Sequence, residues 1–440
     1  MWRYEVRADG PRVRQLLVEA RFAAGGVDAL TIDDDAAPFV REVAYASGTE
    51  WMRAPVRDAR WVVPCHVSGC VVRYRIALRE AADQLDDAET AIASGDVVVA
   101  PPSTWLVHPD ETPPGRLRFH VVAQEPLRFA AGTRPSPDAA LDTYEAATSA
   151  LAASSFAVFG SFDLRTVTSG GARVLVAIAP DGLRLSSTEV AAWVKSAVDA
   201  IAAYLGRFPA PRTLVVVQAG KGDAPTRGET LGDGGPAVLV RAAPGLTAAA
   251  ARDDWVVTHE LLHVSLPSLP HEQVWLSEGL PSYVEPLARA RAGLLAPEQM
   301  WRDLVEGLPQ GLPEAGDEGL DHTHTWGRTY WGGALFCLVA DVRIREETRN
   351  ARSLDDALRA VVATGADVET LWDVARMLDV GDRATGTRAL QDLYRELALA
   401  PGRVDLAALW RRLGVRVEGD RVTFDDGAPL AATRRAIAGH

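Results

Sequence analysis

The 440-residue chain contains no stretch of eighteen apolar residues, so nothing in it reads as a membrane-spanning helix. It also lacks a basic run, and its net charge of -13 argues against nucleic acid as a partner. The start, Met-Trp-Arg-Tyr-Glu-Val-Arg, has no apolar signal core. The expectation is a cytoplasmic protein by default, or a periplasmic or secreted one whose leader is absent from this chain. Cysteine is scarce, at 3 residues. Cys65 and Cys70 stand close enough in sequence for a small disulfide loop across a turn at Ser68-Gly69, with two free buried thiols as the equal alternative. Cys337 lies in an apolar helical run, and none of the three has metal-ligand spacing with the histidines. Apolar material is abundant: 48% hydrophobic residues over this length fill sizeable cores in two or three domains. Nothing in the sequence sets an oligomeric state.

Three regions follow one another, which makes the expected fold class multidomain α+β. Residues 1–135 alternate short strands with Gly, Pro and Asp turns, with strands expected at 14–22, 70–78, 96–100 and 116–123 in a β-sandwich-like domain. The Gly- and Pro-containing segment 130–140 marks a boundary. Residues 136–295 interleave strands at 173–179, 212–219 and 236–242 with a helix over 188–205, opened by a Ser186-x-x-Glu189 capping box and followed by Gly206. Residues 296–440 are mostly helical by their 3.6 period. Helices are expected at 297–306, 329–345, 354–362, 368–377, 387–397 and 405–413, with a closing hairpin around Gly419-Asp420.

Chemistry concentrates in His259-Glu260-Leu261-Leu262-His263. A helix is expected over 247–264, because Thr247 and four alanines open it and Pro267 and Pro270 stop it. His259 and His263 then stand at i and i+4 on one face, with Cβ atoms about 5–6 Å apart. That spacing suits one Zn²⁺ ion, which in catalytic sites takes three protein ligands and leaves a fourth position for water. Glu278 is the natural third ligand, and Glu260 is placed to take a proton from that water as general base. The bland alternative is a pair of core histidines, on a helix whose Trp255, Val256, Leu262 and Leu266 bury its other side.

Two segments downstream extend the motif into a resemblance. Trp275-Leu276-Ser277-Glu278-Gly279-Leu280-Pro281-Ser282-Tyr283-Val284-Glu285 resembles the W-x-x-E-G-x-x-x-Y segment that carries the third zinc ligand in gluzincins, the clan of thermolysin and the aminopeptidase-N type enzymes. Tyr330-Trp331-Gly332-Gly333-Ala334-Leu335, followed by 338–345 and by Ser353-Leu354-Asp355-Asp356, is similar to the glycyl aminopeptidase family, where a Y-x-K-G-A tyrosine precedes L-D-x-x-I-R and S-L-D-D. The resemblance implies an N-terminal β domain over 1–135, a thermolysin-like catalytic domain over 136–295, and a helical domain over 296–440 carrying the tyrosine. It implies that Tyr330 hydrogen-bonds the oxyanion of the tetrahedral intermediate, the alternative being an aromatic packed at a helix start. It also implies that the strand at 236–242 is a sheet edge able to pair with a peptide substrate, a place Pro236 suits, unless a loop covers it. The family's PDZ domain has no room here.

Three departures stand out. The connection from His263 to Glu278 is shorter than in the aminopeptidase-N type. No Glu follows the paired Gly234-Gly235 where the family grips a substrate's amino terminus, so Glu229 is the remaining amine anchor unless it is a solvated turn residue. Gly332 replaces the basic residue of the tyrosine motif. Among single residues, His322 and His324 offer a second oxyanion donor or belong to a polar loop. His271 lies near the ligands as a surface imidazole, and Glu285 is either an acceptor orienting a ligand histidine or a surface carboxylate. The expected function is zinc-dependent peptide hydrolysis. Its alternatives are a catalytically silent peptide-binding protein on the same fold and a zinc hydrolase of non-peptide epoxides or esters.

Overall fold

A computed structural model describes the chain apart from residues 11–12, 24–26, 66–68, 112, 138–139, 420 and 440. The turn position Ser68, the hairpin tip Asp420 and residues 138–139 of the expected boundary therefore lie outside the described residues. The chain forms two compact units, the first of residues 1–167, 173–191 and 212–247, the second of 168–172, 192–211 and 248–440. This division differs from the three regions drawn from sequence. The five-stranded sheet goes with the β-rich N-terminal part, whereas the metal-motif helices go with the C-terminal helices. Among the described residues no helix is long and apolar enough to cross a membrane.

The first unit is built from alternation. In the Trp2–Asp9 strand the period of two sends Trp2, Tyr4 and Val6 inward. This strand lies in a seven-stranded sheet whose order is Thr143–Ala147, Arg116–Val122, Trp2–Asp9, Gln15–Phe22, Cys70–Ile76, Val40–Ser47 and Glu50–Arg53. The strands expected at 14–22, 70–78, 96–100 and 116–123 thus appear at Gln15–Phe22, Cys70–Ile76, Val97–Val99 and Arg116–Val122. One core unites this sheet with two four-stranded sheets, Leu30 and Trp61 coming from one and Val98, Phe129 and Phe159 from the other. Trp105 packs edge-on against Phe119, Phe129 and Phe159, at ring distances of 5.3, 6.4 and 5.6 Å. The Tyr74 hydroxyl donates to Trp105 O at 3.0 Å and accepts from Val107 N at 2.9 Å, so its polar tip is satisfied inside the core. Cys65 and Cys70 are disulfide-bonded, with Cα atoms 4.9 Å apart.

The five-stranded sheet runs Asp163–Ser169, Ala172–Ile178, Arg212–Ala219, Ala237–Ala242, Arg227–Leu231. Its three central strands pair in parallel and are apolar nearly throughout, the pattern of strands buried on both faces. One expectation fails here. The strand after Pro236 is not an edge, because Arg227–Leu231 returns antiparallel along it and takes the edge itself. Gly234 and Gly235 make that hairpin, with φ of 84° and 148°, and a Cβ on Gly235 would meet Gly132 O at 2.2 Å. The Ser186–Glu189 capping box forms as predicted: Ser186 N donates to the Glu189 carboxylate at 2.8 Å, and Glu189 N to Ser186 Oγ at 3.3 Å.

The second unit is helical, and several helix bounds shift for local reasons. The helix predicted over 247–264 is two, Ala248–Asp253 and Val256–Val264, because the Asp254 side chain accepts Val256 N at 2.9 Å and restarts the chain. The helix that carries Glu278, Val274–Arg291, begins before Ser277 and contains both Pro281 and Pro286, each of which removes one backbone rung. The segment 329–345 splits into a π-helical turn, Arg328–Gly332, and the Gly333–Glu347 helix. The helix expected at 368–377 starts instead at Val374, where Asp373 accepts Arg376 N at 2.7 Å, and ends at left-handed Gly386. The Pro297–Gly307, Leu354–Ala363 and Leu406–Leu413 helices lie where expected. The Ala431–Ala438 helix has no counterpart among the sequence expectations.

Candidate metal centre

His259 and His263 come from the Val256–Val264 helix and Glu278 from the Val274–Arg291 helix. The Nε2 atoms of the two histidines are 3.2 Å apart, and Glu278 Oε2 lies 3.4 Å from each. These three side chains form the group of potential metal ligands found among the described residues. A tetrahedral zinc ion with bonds of about 2.0–2.2 Å requires ligand atoms about 3.3–3.6 Å apart. The observed triangle matches that edge length. Its chemistry also fits a cation, since two imidazole lone pairs and a carboxylate converge where neutral packing would push them apart. His259 is buried, and the side chains of His263 and Glu278 are 18% and 22% exposed, which leaves one side open.

The electrostatics agree. Burial alone would depress His263, but hydrogen bonding and charge from Glu278, with the charge of Glu260, outweigh it and raise its pKa. Burial likewise opposes ionisation of Glu278, yet the hydrogen bonds and charge of the two histidines hold its pKa far below the usual carboxylate range. Glu260 follows His259 on the helix and is buried. Tyr330 shares a cavity wall with His259, and its pKa is pushed up to about 12 by burial and by the charges of Glu278 and Glu260. It therefore carries its proton at neutral pH and is a donor.

Close packing sets these positions. A Cβ on Gly279, next to Glu278, would lie 2.3 Å from the Gly333 backbone, and one on Gly333 would lie 1.9 Å from Trp275 O. The two helices therefore cross backbone on backbone, three residues from Tyr330. At Gly332, which stands in place of a basic residue, a Cβ would meet the tip of the Leu320 side chain at 2.7 Å. Asp341, fully buried, ties three helices together: it accepts Tyr283 Oη at 2.9 Å, Arg345 Nε at 2.9 Å and Leu354 N at 2.9 Å. Asp321 accepts Trp275 Nε1 at 2.7 Å, Gln273 Nε2 at 3.2 Å and the Tyr394 hydroxyl. Arg328 donates to Gly311 O and pairs with Asp317 at 2.8 Å, fixing the π-helical turn two residues before Tyr330. Asp321, Asp341 and Arg328 escaped the sequence reading, and only the resemblance around 338–345 marked the neighbourhood of Asp341.

The remaining candidates are placed as follows. Glu285 pairs with Arg289 at 2.7 Å and lines the cavity beside His259; it is buried, not a surface carboxylate. His324 contacts Asp321 O at 3.1 Å and packs edge-on against His271, and it does not line that cavity. His322 is exposed. Glu229, on the edge strand of the first unit, is paired with Arg241. Gly234 and Gly235 also lie in the first unit, as the hairpin turn.

No family model matches the chain, and no curated protein does. Solved structures do resemble it. An aminopeptidase N family protein from Idiomarina loihiensis superposes with a TM-score of 0.72 at 13% identity, covering 95% of this chain and 79% of that one. A point mutant of an M1 zinc metallopeptidase from Deinococcus radiodurans superposes with a TM-score of 0.52 at 15% identity, covering 92% and 94%. The chain thus has the mixed α+β fold seen in aminopeptidase-N type zinc metallopeptidases.

Proposed function

We propose that the chain is a zinc-dependent peptidase. The observation that carries this reading is the His259–His263–Glu278 triangle, with edges of 3.2–3.4 Å, beside a buried Glu260 and with Tyr330 on the same cavity wall as His259. His259 Nε2, His263 Nε2 and the Glu278 carboxylate would hold one zinc ion. Bound there, the ion would supply Lewis acidity, polarising the scissile carbonyl and lowering the pKa of water toward about 7. Glu260 takes a proton from the attacking water and returns it to the leaving amine. Tyr330 donates a hydrogen bond from its hydroxyl to the developing oxyanion. The peptidase names of the two structural neighbours support this assignment, and the presence of Glu260 weighs against a silent binding protein.

Exo- and endopeptidase action separate by experiment. The first unit offers Glu229 already engaged by Arg241, so a built amine anchor is not supplied by that residue. Metal analysis of the purified protein, together with a panel of amino-blocked and free-amine peptides, tests the proposal. About one zinc per chain and hydrolysis of either peptide class support it. Zinc without hydrolysis of any peptide, but with turnover of esters or epoxides, would favour the non-peptide alternative. Absence of zinc after reconstitution would refute the site altogether.

A further inference from the structure

A cavity of about 880 Å³ opens beside His259 and Tyr330, within the range of about 300–1,000 Å³ usual for ligand sites. It is lined by residues of the Val274–Arg291 and Pro297–Gly307 helices and of the turn that carries Tyr330. Its wall carries two chemistries. The first is aromatic: Trp255, Trp326 and Trp331 face it, and Trp255 and Trp326 are 51% and 62% exposed. Indole surface left this open next to a metal centre is unusual unless a ligand covers it.

The second chemistry is acidic. Asp253, Glu285, Asp303 and Glu306 line the cavity, and among the described residues in its wall Arg289 is the one arginine or lysine. Arg289 is already matched, donating to Glu285 at 2.7 Å and to Asp253 O at 2.9 Å. Asp303, half-buried, receives a hydrogen bond from the neutral amide of Gln299 at 2.7 Å, and the charges of Arg289 and Arg302 that act on it are opposed by that of Glu306. Low-dielectric walls concentrate the field of such carboxylates. An aromatic mouth whose wall carries four carboxylates against one arginine suits a long side chain that is apolar along its stem and positive at its end.

Resting on the peptidase reading, we propose that this cavity is a side-chain subsite next to the cleaved bond and that it selects lysine or arginine. The stem of that side chain lies on the tryptophan faces and its charge is held by Asp303 and Glu306. These two are specificity residues; the reacting atoms lie at the metal centre.

The test has two arms on the zinc-loaded full chain. In the first, matched peptides carry Arg, Lys, norleucine or Glu on either side of the cleaved bond. At one of the two positions kcat/KM is expected to be at least about tenfold higher for Arg and Lys than for norleucine, with Glu lowest. Asp303→Asn and Glu306→Gln each shrink that ratio, and Asp303→Lys turns it toward Glu. In the second arm, which needs no turnover, wild type is expected to bind argininamide about tenfold more tightly than norleucinamide, and Asp303→Asn to erase the difference. Wild-type zinc content and melting temperature in each variant establish that it is folded. Peptide cleavage without basic preference, with equal binding of the two amides, overturns the subsite and leaves the peptidase reading standing. An Asp303-dependent preference for argininamide in a protein that cleaves no peptide upholds the subsite and overturns the peptidase reading.

Discussion

Tyr330 owes its assigned role to a proton it keeps. With its pKa pushed up to about 12 by burial and then by the charges of Glu278 and Glu260, the hydroxyl stays a donor through the alkaline range. Tyr330→Phe is expected to lower kcat by about 10²–10³ while zinc is retained. A tyrosine that acts only as a hydrogen-bond donor predicts a mutant whose kcat–pH profile is displaced downward between about pH 7 and 10 without changing shape. A lost alkaline limb in the mutant would show that Tyr330 titrates in wild type. At this scale the meeting of His259, His263 and Glu278 was legible, since i,i+4 spacing puts the two histidines on one face and the resemblance pointed to Glu278 as their neighbour. Glu229 was not, because nothing local reveals that Arg241, twelve residues on, faces it across a hairpin. Arg328 and Asp321 act through contacts distant in sequence and leave no local signal.

Elements place these residues, and two of them meet without room to spare. Gly279→Ala puts a methyl against the Gly333 backbone, where a Cβ would sit 2.3 Å away. The expected cost is about 1–3 kcal/mol of stability, with weakened zinc binding because Glu278 moves with its helix. Chemical denaturation and metal titration of the variant check both. In the first unit, Glu145 bridges neighbouring strands to Arg116 at 2.6 Å and to Arg118, and accepts Ser136 Oγ at 2.6 Å. The Ser136 hydrogen bond and, against the opposing effect of burial, the two arginines lower its pKa from 4.5 to about 2. A depressed folded-state pKa means stability present above pH 4.5 and lost as pH falls toward 2. Wild type should therefore lose melting temperature over that window more steeply than Glu145→Gln. Strand and helix existence was mostly legible from period and caps. Partnership was not: Ala237–Ala242 read as an edge until Arg227–Leu231 was seen to flank it, and the π-turn at Tyr330 has no periodic signature.

At the scale of the whole molecule, a likeness covering 95% of the chain at 13% identity means that the path of the backbone persists where most side chains differ. Composition indicated a large mixed protein with ample core. The division into two units was hidden because it depends on which elements pack together, and three of its boundaries cut through single elements. A metal that binds the folded chain and not the unfolded one stabilises it by mass action, about 2.7 kcal/mol at a free concentration 100 times Kd. Chelation should accordingly lower the melting temperature of wild type by several degrees, zinc should restore it, and a His263→Ala variant should show neither effect. The most direct test of the account sets Glu260→Gln beside wild type and measures zinc content and peptide hydrolysis on the same samples. The account predicts about one zinc per chain in both and a fall in kcat of about 10²–10⁴ in the variant. Full hydrolysis by a zinc-loaded Glu260→Gln protein would contradict it.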